Sequence, residues 1–421
     1  MQRMNTQNKY DNKKDLMISV DTAYKLLMKY APVAKKSEFV NLTQATDRII
    51  AETIKSKIDV PEHNNSAVDG YGFNFKDKFK HQRLKIVGES SPGKPFLGKI
   101  SSGQAIKVYT GALIIGNKND LIPIDTIVMQ EEVSNVERSI ELKEKIKAGQ
   151  NIRLRGEDII KEQVIFKKGK KIRSLDLGYL ASVGIERVRV FKKLKVGIFS
   201  SGNEINTSSK HKKYMIFDSN KISLISLFNK IGCESYDCGI IKDNYNISRK
   251  KIKEMSKKFD ILVTTGGISS SDTDAIKKVV RDIGDMKFSK ISLKPGRPFT
   301  FALINNIPFL GLPGNPVAVV VVFLYFIADF IAKIYNVKRN IKSIKVKSNF
   351  NFKKKANRRE LLRGFLLEKQ DQLLVERFPS EGSGILSSVA KSEGLIELMD
   401  NESTIKKGSY LKFYPFESLL K

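Results

Sequence analysis

The sequence predicts a multidomain α/β protein. Its parts are a doubly wound, mostly parallel α/β domain, an inserted β-rich domain, a helical linker domain and a C-terminal β-barrel-like domain. Between about 191 and 338, apolar strand-like runs alternate with helical patterns, which is typical of a parallel sheet with crossover helices. Short alternating runs separated by glycine turns fill 58–147, and a strand-rich stretch follows 339. The 421 residues give room for about three or four domains of ordinary size.

The predicted domain boundaries follow these changes of pattern. The N-terminal and linker domain takes 15–57 and 148–190, the inserted β-rich domain 58–147, the α/β domain 191–338 and the C-terminal β domain 339–421. Within the linker domain, the sequence predicts a first helix capped by Asp21, a second helical segment over 43–53 and a third helix capped by Ser174.

The formal charge of +30 makes nucleic acid the first partner to consider. The basic clusters, however, are scattered and mostly lysine, and they lack interleaved aromatic residues or a nucleic-acid-binding module. They lie at 167–171, 249–253 and 353–359. We interpret them as solvated faces, so nucleic acid binding is not expected, although such a field would attract an anionic substrate.

Cysteine and histidine usage argues against a disulfide scaffold and against a zinc site. Cys233 and Cys238 are the only cysteines, and the three histidines are dispersed. A polar start without an apolar signal region predicts a cytoplasmic protein. The most apolar run, 317–328, is followed too soon by Asp329 and Lys333 to span a bilayer. A buried helix and no membrane association are therefore expected.

A glycine-rich turn after a short β-branched run gives the first sign of a site. The run 259–265 is followed by Gly266 and Gly267, whose lack of a side chain lets the backbone approach a ligand. Ser271 or Asp272 is predicted to cap the next helix, so that its free N–H groups face an anion. A lone turn of this kind is more often structural than catalytic.

Charged residues beside this turn suggest how an anion would be handled. Because Asp272 and Asp274 alone would repel a phosphate, a magnesium ion between them and the phosphate oxygens is expected. The segment 293–298 uses two prolines and a glycine to hold Lys294 and Arg297 in a rigid turn. That arrangement suits a fixed oxyanion pocket.

Further turns end other predicted strands. The segment 311–316 opens the long apolar helix, and the strand-like runs 195–199 and 234–241 are followed by Glu204 and Asp243. Doubly wound folds place ligands at such strand ends. Neither GxxxxGK[ST] nor GxGxxG occurs, so neither a P-loop nor a dinucleotide-binding fold is indicated.

Three of these turns, TTGGISSSDTD, LKPGRPF and GLPGNPVA, together resemble the molybdopterin molybdenumtransferase family, which includes MoeA and the E domain of gephyrin. Each motif alone is weak, but their order and spacing are specific. Other segments extend the resemblance over about 18–417. NNSAVDGYG is similar to the family's DNSAMDGYA motif, and YTGA and DTIVMQE are similar to its TGA and DAVVMQE motifs. GQNIRLRGED is similar to the family's GxNIRxxGED motif, and SEGSG is similar to its GQGSG motif. His63, Asn64 and Arg297 depart from the family pattern.

The resemblance implies that the α/β domain binds molybdopterin and that molybdate is inserted into adenylyl-molybdopterin with release of AMP. It implies Asp69, Asp243, Asp274 and Lys294 as catalytic residues, and magnesium held by Asp272 and Asp274. The residues implied to bind substrate or molybdate are Thr110, Glu204, Gly266, Gly267, Ser269, Arg297, Pro298, Pro313, Gly314, Asn315, Arg363 and Ser383. The molybdate pocket itself is expected to consist of Lys294 and four of these binding residues, namely Ser269, Arg297, Arg363 and Ser383.

The resemblance also implies partners. A homodimer is expected because Asp69 and Thr110 belong to the inserted domain, which in this family faces the partner's cleft, and molybdopterin adenylyltransferase is the expected upstream enzyme. Two alternatives stay open. An adenylyltransferase-like enzyme would lack the motif at 64–72 and the flanking domains. A non-enzymatic gephyrin-like scaffold would tolerate loss of Asp274, Lys294 or Arg363, and all three are present.

Overall fold

The computed structural model describes residues 17–114, 123–143, 145–206, 210, 213–268 and 274–420. These residues fall into two compact units, one formed by Glu38–Val190 and the other by the described parts of Met1–Ser37 and Phe191–Lys421. The four domain boundaries given above stay a prediction.

The elements of the first half are mostly short strands. In chain order they are α1 (Val20–Lys29), β1 (Ser37–Asn41), β2 (Ile54–Lys55), β3 (Asn65–Ser66), β4 (Gly70–Phe73), β5 (Arg83–Ser90), β6 (Gln104–Val108), β7 (Thr126–Met129), β8 (Val133–Val136), β9 (Ser139–Leu142), β10 (Ile152–Arg153), β11 (Val164–Phe166), α2 (Ser174–Ser182) and β12 (Arg187–Phe191).

The second half begins as alternating strands and helices and ends in strands. Its elements are β13 (Lys195–Ser201), β14 (Ile205–Asn206), β15 (Ile216–Phe217), α3 (Ser219–Lys230), β16 (Glu234–Ile241), α4 (Tyr245–Met255), β17 (Ile261–Thr265), α5 (Ala275–Ile283), β18 (Asp285–Lys290), β19 (Leu293–Lys294), β20 (Pro298–Ile304), β21 (Ile307–Leu312), α6 (Pro316–Ile334), β22 (Ile344–Ser348), β23 (Phe352–Lys353), β24 (Arg359–Lys369), β25 (Gln372–Arg377), α7 (Ser387–Ala390), β26 (Gly394–Leu398), β27 (Thr404–Ile405), β28 (Tyr410–Pro415) and α8 (Phe416–Leu419).

The unit Glu38–Val190 contains a six-stranded sheet in the order β7-β4-β6-β5-β9-β8. Alternating side chains on these strands, among them Phe73, Leu84 and Val128, form one buried cluster. A second cluster in the same unit contains Ile50 and Leu180. The β-rich character predicted for the inserted segment is therefore confirmed.

Of the three helices predicted in the first half, two form with a different N-cap residue and one does not form. Ser19, not Asp21, caps α1, because its Oγ accepts the N–H of Thr22 at 3.1 Å. Arg173 rather than Ser174 takes the N-cap position of α2. The segment 43–53 is not a helix.

Tertiary pairing explains the failure of the predicted helix over 43–53. Only a short 3₁₀ turn forms, at Leu42–Gln44. Asp47 then has a positive φ of 63°, which a continuing right-handed helix does not allow. Ile50 pairs with Val190 as an isolated β-bridge, so the segment continues in an extended conformation.

The α/β part of the other unit is a six-stranded sheet in the order β16-β13-β17-β21-β20-β18. The strands β16, β13, β17 and β21 are parallel, and β20 runs antiparallel to both β21 and β18. Phe199, Leu262 and Phe309 belong to the core beneath the helices. The predicted mostly parallel sheet is confirmed, and the carboxyl ends of its parallel strands share one edge.

Helix α6 is the most apolar element of the chain. It includes a π-helical turn at Phe323–Ile327. By its length and by a mean hydropathy of 2.4 the helix would qualify as a membrane span, but 78% of its most apolar 18-residue stretch is buried in the protein. The prediction of a buried core helix is confirmed.

The C-terminal strands close into a barrel. The order β24-β25-β22-β28-β26 is completed by direct pairing of β24 with β26, so the predicted barrel-like domain is confirmed. The short strand β19 adds to β24 in parallel, with Lys294 opposite Glu360. This pairing joins the proline-rich turn after β19 to the barrel and brings charged side chains of both together.

Candidate functional site

A cavity of about 400 Å³ lies at the carboxyl ends of β13, β17 and β21. It brings together most of the residues predicted from the strand-end turns. Its lining includes Glu204, Asp243, Gly266, Gly267, Asp274, Pro298, Pro313, Gly314 and Asn315. We call it the strand-end cavity.

The two glycines after β17 are required by close backbone packing. Gly266 and Gly267 have positive φ values of 83° and 68°, which side-chain-bearing residues rarely adopt. A β-carbon on Gly266 would lie 2.3 Å from the carbonyl oxygen of Ser201 at the end of β13. The glycines therefore let two neighbouring strand ends approach each other while leaving the turn open toward the cavity.

The acids of the strand-end cavity differ in their surroundings. Asp243 accepts a hydrogen bond from the backbone N–H of Ala275 at 3.0 Å, so it stabilises the start of α5. Asp274 holds the N-cap position of that helix without a side-chain cap bond, and Glu204 is exposed. The predicted capping of α5 by Ser271 or Asp272 is wrong, because the helix begins at Ala275.

Two predicted site residues, Ser269 and Asp272, lie outside the described residues. Among the residues that are described, no group of three or more histidine, cysteine, aspartate or glutamate side chains could hold a metal ion. The strand-end cavity nevertheless offers carboxylate oxygens, which Mg²⁺ prefers, and Mg²⁺ commonly uses only one or two carboxylates beside substrate phosphates. The donors therefore fit a magnesium ion that is shared with a phosphate.

Asn220, at the start of α3, ties two of the turns together. Its Nδ2 donates to Thr265 Oγ1 at 2.8 Å and to the carbonyl oxygen of Gly314 at 2.7 Å. Thr265 Oγ1 in turn donates to the carbonyl of Pro313 at 3.1 Å. These bonds fix the turn after β17 against the turn after β21, a role that the sequence reasoning missed because Asn220 lies in a different segment.

A second cavity, of about 710 Å³, shares Pro298, Pro313 and Asn315 with the first. We call it the Lys294 cavity. Of the predicted residues it adds Lys294, Arg297 and Ser383. It also contains lining residues that the sequence did not single out, namely Lys355, Asn357, Arg358, Glu381 and Gly382.

Lys294 is held between two carboxylates. Its Nζ lies 2.8 Å from Glu381 Oε2 and 3.4 Å from Glu360 Oε2. Glu360 is almost fully buried and also pairs with Arg358. Arg297, by contrast, is exposed and makes no ion pair within the described ranges. Of the four cations that line the cavity, Lys294 and Arg358 are thus held by carboxylates, whereas Arg297 and Lys355 make no ion pair among the described residues.

Arg363 lies behind the wall of the Lys294 cavity rather than on it. Its guanidinium donates to the carbonyls of Ser380 and Gly382 at 3.0 and 3.4 Å and to Ser388 Oγ at 2.9 Å. Burial lowers the pKa of this guanidinium, and the negative charge of Glu381 acts in the opposite direction. An arginine stays protonated in such a site, so Arg363 fixes the loop that carries Glu381.

Asp69 and Thr110 belong to the unit Glu38–Val190 and contact each other there. Asp69 Oδ1 accepts the backbone N–H of Thr110 at 2.7 Å and its hydroxyl at 2.8 Å. These two hydrogen bonds lower the pKa of the Asp69 carboxyl below its usual value. Asp69 is therefore an exposed, ionised carboxylate with a fixed orientation at neutral pH.

The residues missed by the sequence reasoning left weak signals. Lys355 and Arg358 belong to a basic run that was interpreted as a solvated face, and Glu381 lies within the SEGSG segment. Their convergence depends on the parallel pairing of β19 with β24. Such a contact between distant segments is not visible in local patterns.

Comparisons with known proteins agree along nearly the whole chain. Models of three families match: the MoeA N-terminal region (domain I and II) at residues 18–184, a probable molybdopterin binding domain at 197–333, and the MoeA C-terminal region (domain IV) at 345–416.

Relatives of similar length are found in distant organisms. The chain is 34% identical over 409 residues to a molybdopterin molybdenumtransferase of Haemophilus influenzae, which covers 96% of this chain and 100% of that protein. It is 31% identical over 401 residues to a putative molybdopterin biosynthesis protein of Methanocaldococcus jannaschii, with 93% and 95% covered. A molybdopterin biosynthesis MoeA protein from Pyrococcus horikoshii has a similar structure, with a TM-score of 0.80, 26% identity, and 95% and 100% of the two chains covered.

Proposed function

Because the chain belongs to the MoeA family, we propose that it is a molybdopterin molybdenumtransferase, a transferase of molybdenum cofactor biosynthesis. In the proposed reaction, molybdate is inserted into adenylyl-molybdopterin and AMP is released. The observation that carries this proposal is the pair of adjoining cavities, one lined by carboxylates and the other mainly by cations, which share Pro298, Pro313 and Asn315.

The Lys294 cavity suits molybdate. A tetrahedral dianion needs hydrogen-bond donors that replace its water shell, and ammonium, guanidinium and hydroxyl groups are such donors. Lys294, Arg297 and Ser383 line this cavity. Arg363 supports the loop that includes Ser383, so in this proposal it positions the oxyanion donors. Ser269, which lies outside the described residues, is proposed to complete the pocket.

The strand-end cavity suits the phosphate link of the substrate. The open turn at Gly266 and Gly267 and the turn at Pro313–Gly314 leave backbone groups accessible to an anion. Asp274, with Asp272 from outside the described residues, is proposed to hold magnesium beside the phosphates. When bound, this ion would neutralise charge that develops on the departing AMP phosphate. Asp243 keeps the start of α5 in place, and Glu204 is proposed to contact substrate.

The finer assignments extend this proposal. We propose a homodimer in which Asp69 and Thr110 serve the cleft of the partner subunit, a cytoplasmic location, and molybdopterin adenylyltransferase as the upstream enzyme. The orientation of Asp69 by Thr110 supports a role in contacting a substrate group or a water molecule, because a carboxylate held by two hydrogen bonds is pre-organised.

The direct test is an assay of the purified full-length protein with adenylyl-molybdopterin, magnesium and molybdate. We expect AMP release together with a product that reconstitutes an apo-molybdoenzyme. Lys369→Met serves as the control variant, because Lys369 is an exposed lysine at the far end of β24 and should leave activity unchanged. Full cofactor formation without the protein, or no AMP release by the folded protein, would contradict the proposal.

A further inference from the structure

One carboxylate stands where an anion in the Lys294 cavity would have to bind. Glu381 Oε2 lies 2.8 Å from Lys294 Nζ, and both residues line the cavity. The ammonium group has three N–H donors, and Glu381 accepts from one of them, so an oxyanion that bonds to Lys294 would lie beside the Glu381 carboxylate. Since like charges at such a distance repel strongly, the anion and the carboxylate compete for one place.

Glu381 has a second cation available on its other side. Its Oε1 lies 3.9 Å from Arg377 Nη1, and its side chain is 38% exposed. Arg377 itself is anchored, because its guanidinium donates to the carbonyl of Pro379 at 3.2 Å. A small rotation of the Glu381 side chain would exchange the contact with Lys294 for a closer contact with Arg377.

The backbone around Glu381 is fixed, whereas its side chain is partly exposed to solvent. Arg363 holds the carbonyls of Ser380 and Gly382 on either side of it. The other carboxylate beside Lys294, that of Glu360, is only 1% exposed and also pairs with Arg358. Of the two acids, Glu381 is therefore the one whose side chain has access to solvent.

We propose that Glu381 is a displaceable carboxylate that sets the oxyanion affinity of the site. It bonds to Lys294 in the free protein and moves to Arg377 when a tetrahedral oxyanion takes its place. The inference rests on the proposed function only in naming molybdate as the natural anion, since the displacement itself applies to any tetrahedral oxyanion of similar size.

The first test measures molybdate binding to the full-length protein by isothermal titration calorimetry. Glu381→Gln removes the competing charge and keeps the shape, so it should bind molybdate at least about tenfold more tightly than wild type. The matched control is Glu368→Gln, an exposed acid on β24, which should change the affinity by less than about twofold. Equal or weaker binding by Glu381→Gln, or no binding by either protein, would overturn the proposal.

A second anion separates displacement from simple repulsion. Perrhenate has the tetrahedral shape of molybdate but one negative charge instead of two. If Glu381 moves away, the cost of moving it is the same for both anions, and Glu381→Gln should improve both affinities by about the same factor. If Glu381 stays beside Lys294, the dianion should gain far more than the monoanion. That second result would exclude displacement.

The role of Arg377 provides an internal check. Arg377→Met removes the second partner of Glu381, so molybdate binding should weaken by about threefold to fivefold in the wild-type background. In the Glu381→Gln background, Arg377→Met should not change the molybdate affinity, because no carboxylate remains that could move to Arg377. An equal effect in both backgrounds would show that Arg377 acts independently of Glu381.

These binding measurements distinguish this inference from the proposed function. A tighter Glu381→Gln variant that releases no AMP would support the displaceable carboxylate and contradict the transferase assignment. Normal AMP release by the wild-type protein, together with unchanged molybdate affinity in Glu381→Gln, would support the transferase assignment and contradict the displaceable carboxylate.

Discussion

The strand-end cavity and the Lys294 cavity share three wall residues but are built in different ways. The first is formed by turns at strand ends, in which positive-φ glycines bring backbone close to backbone. The second is formed where the proline-rich turn after β19 meets the barrel, and its walls carry charged side chains. One cavity therefore depends on backbone geometry and the other on ion pairs.

This difference shows how one crevice can handle ligands of opposite charge. Three carboxylates and no lysine or arginine line the described part of the strand-end cavity, whereas four cations and the single carboxylate of Glu381 line the Lys294 cavity. Keeping the two sets apart limits their mutual neutralisation. Substitutions on the two sides should accordingly affect different ligands, and the following predictions would sharpen or break this separation.

The largest effect is expected from Lys294→Met. The variant loses the one oriented ammonium group of its cavity, so molybdate-dependent AMP release should fall by about 100-fold or more. The magnesium concentration needed for half-maximal rate should not change. Steady-state kinetics with varied molybdate and magnesium would measure both, with Lys369→Met as control. A loss of less than about fivefold would show that Lys294 is not central to anion handling.

On the acidic side, Asp274→Asn should change the magnesium requirement instead. Loss of one charged ligand should raise the half-saturating magnesium concentration by about tenfold to 100-fold while the apparent KM for molybdate stays constant. Asp243→Asn is the comparison variant, because the asparagine oxygen still accepts the Ala275 N–H, and its effect should be smaller. If Asp274→Asn altered molybdate affinity instead, the separation of the two cavities would be wrong.

Two glycine substitutions test whether close backbone packing shapes the strand-end cavity. Gly266→Ala should destabilise the protein by about 1–3 kcal/mol, since it forces a side chain into a positive-φ position and against the Ser201 carbonyl. A β-carbon at Gly314 would lie 4.0 Å from its nearest neighbour, so Gly314→Ala should change stability by less than about 0.5 kcal/mol. Urea unfolding of both variants measures the difference, and equal destabilisation would contradict the account.

The smallest effect is expected at Asp69, an acid that belongs to neither cavity. Its pKa is lowered by the backbone N–H and then by the hydroxyl of Thr110. Thr110→Val removes only the hydroxyl, so the pKa should rise part of the way toward its usual value. A carboxyl with a lowered pKa stabilises the fold above the unfolded pKa and loses that contribution as the pH falls through the folded pKa. Carboxyl-carbon NMR titration would detect the shift, and an unchanged pKa would show that the hydroxyl contributes nothing.

Local patterns predicted the elements that depend on local chemistry. The apolar runs at β13, β16 and β17 specified parallel strands, and the strand-end positions of Glu204, Asp243 and Gly266 followed from that topology. The chain could not be interpreted in the same way at 43–53, where pairing of Ile50 with Val190 overrides the local helical tendency.

The Lys294 cavity was only half predictable for a related reason. The rigid turn with Lys294 and Arg297 was visible in the sequence, but the acids that neutralise Lys294 come from β24 and from the loop before α7. Charge runs on the surface and charge runs around a cavity look alike in a sequence. Only the pairing of β19 with β24 shows that Glu360 faces Lys294 and that Arg358 lines the same cavity.

The most direct test of whether the oxyanion binds in the Lys294 cavity rather than in the strand-end cavity is anomalous diffraction. Crystals of the full-length protein would be soaked in tungstate, a heavier analogue of molybdate. We expect the strongest tungsten peak beside Lys294, with a tungstate oxygen within hydrogen-bonding distance of Lys294 Nζ and with Glu381 turned toward Arg377. A strongest peak beside Glu204 and Asp274, with Glu381 still bonded to Lys294, would contradict it.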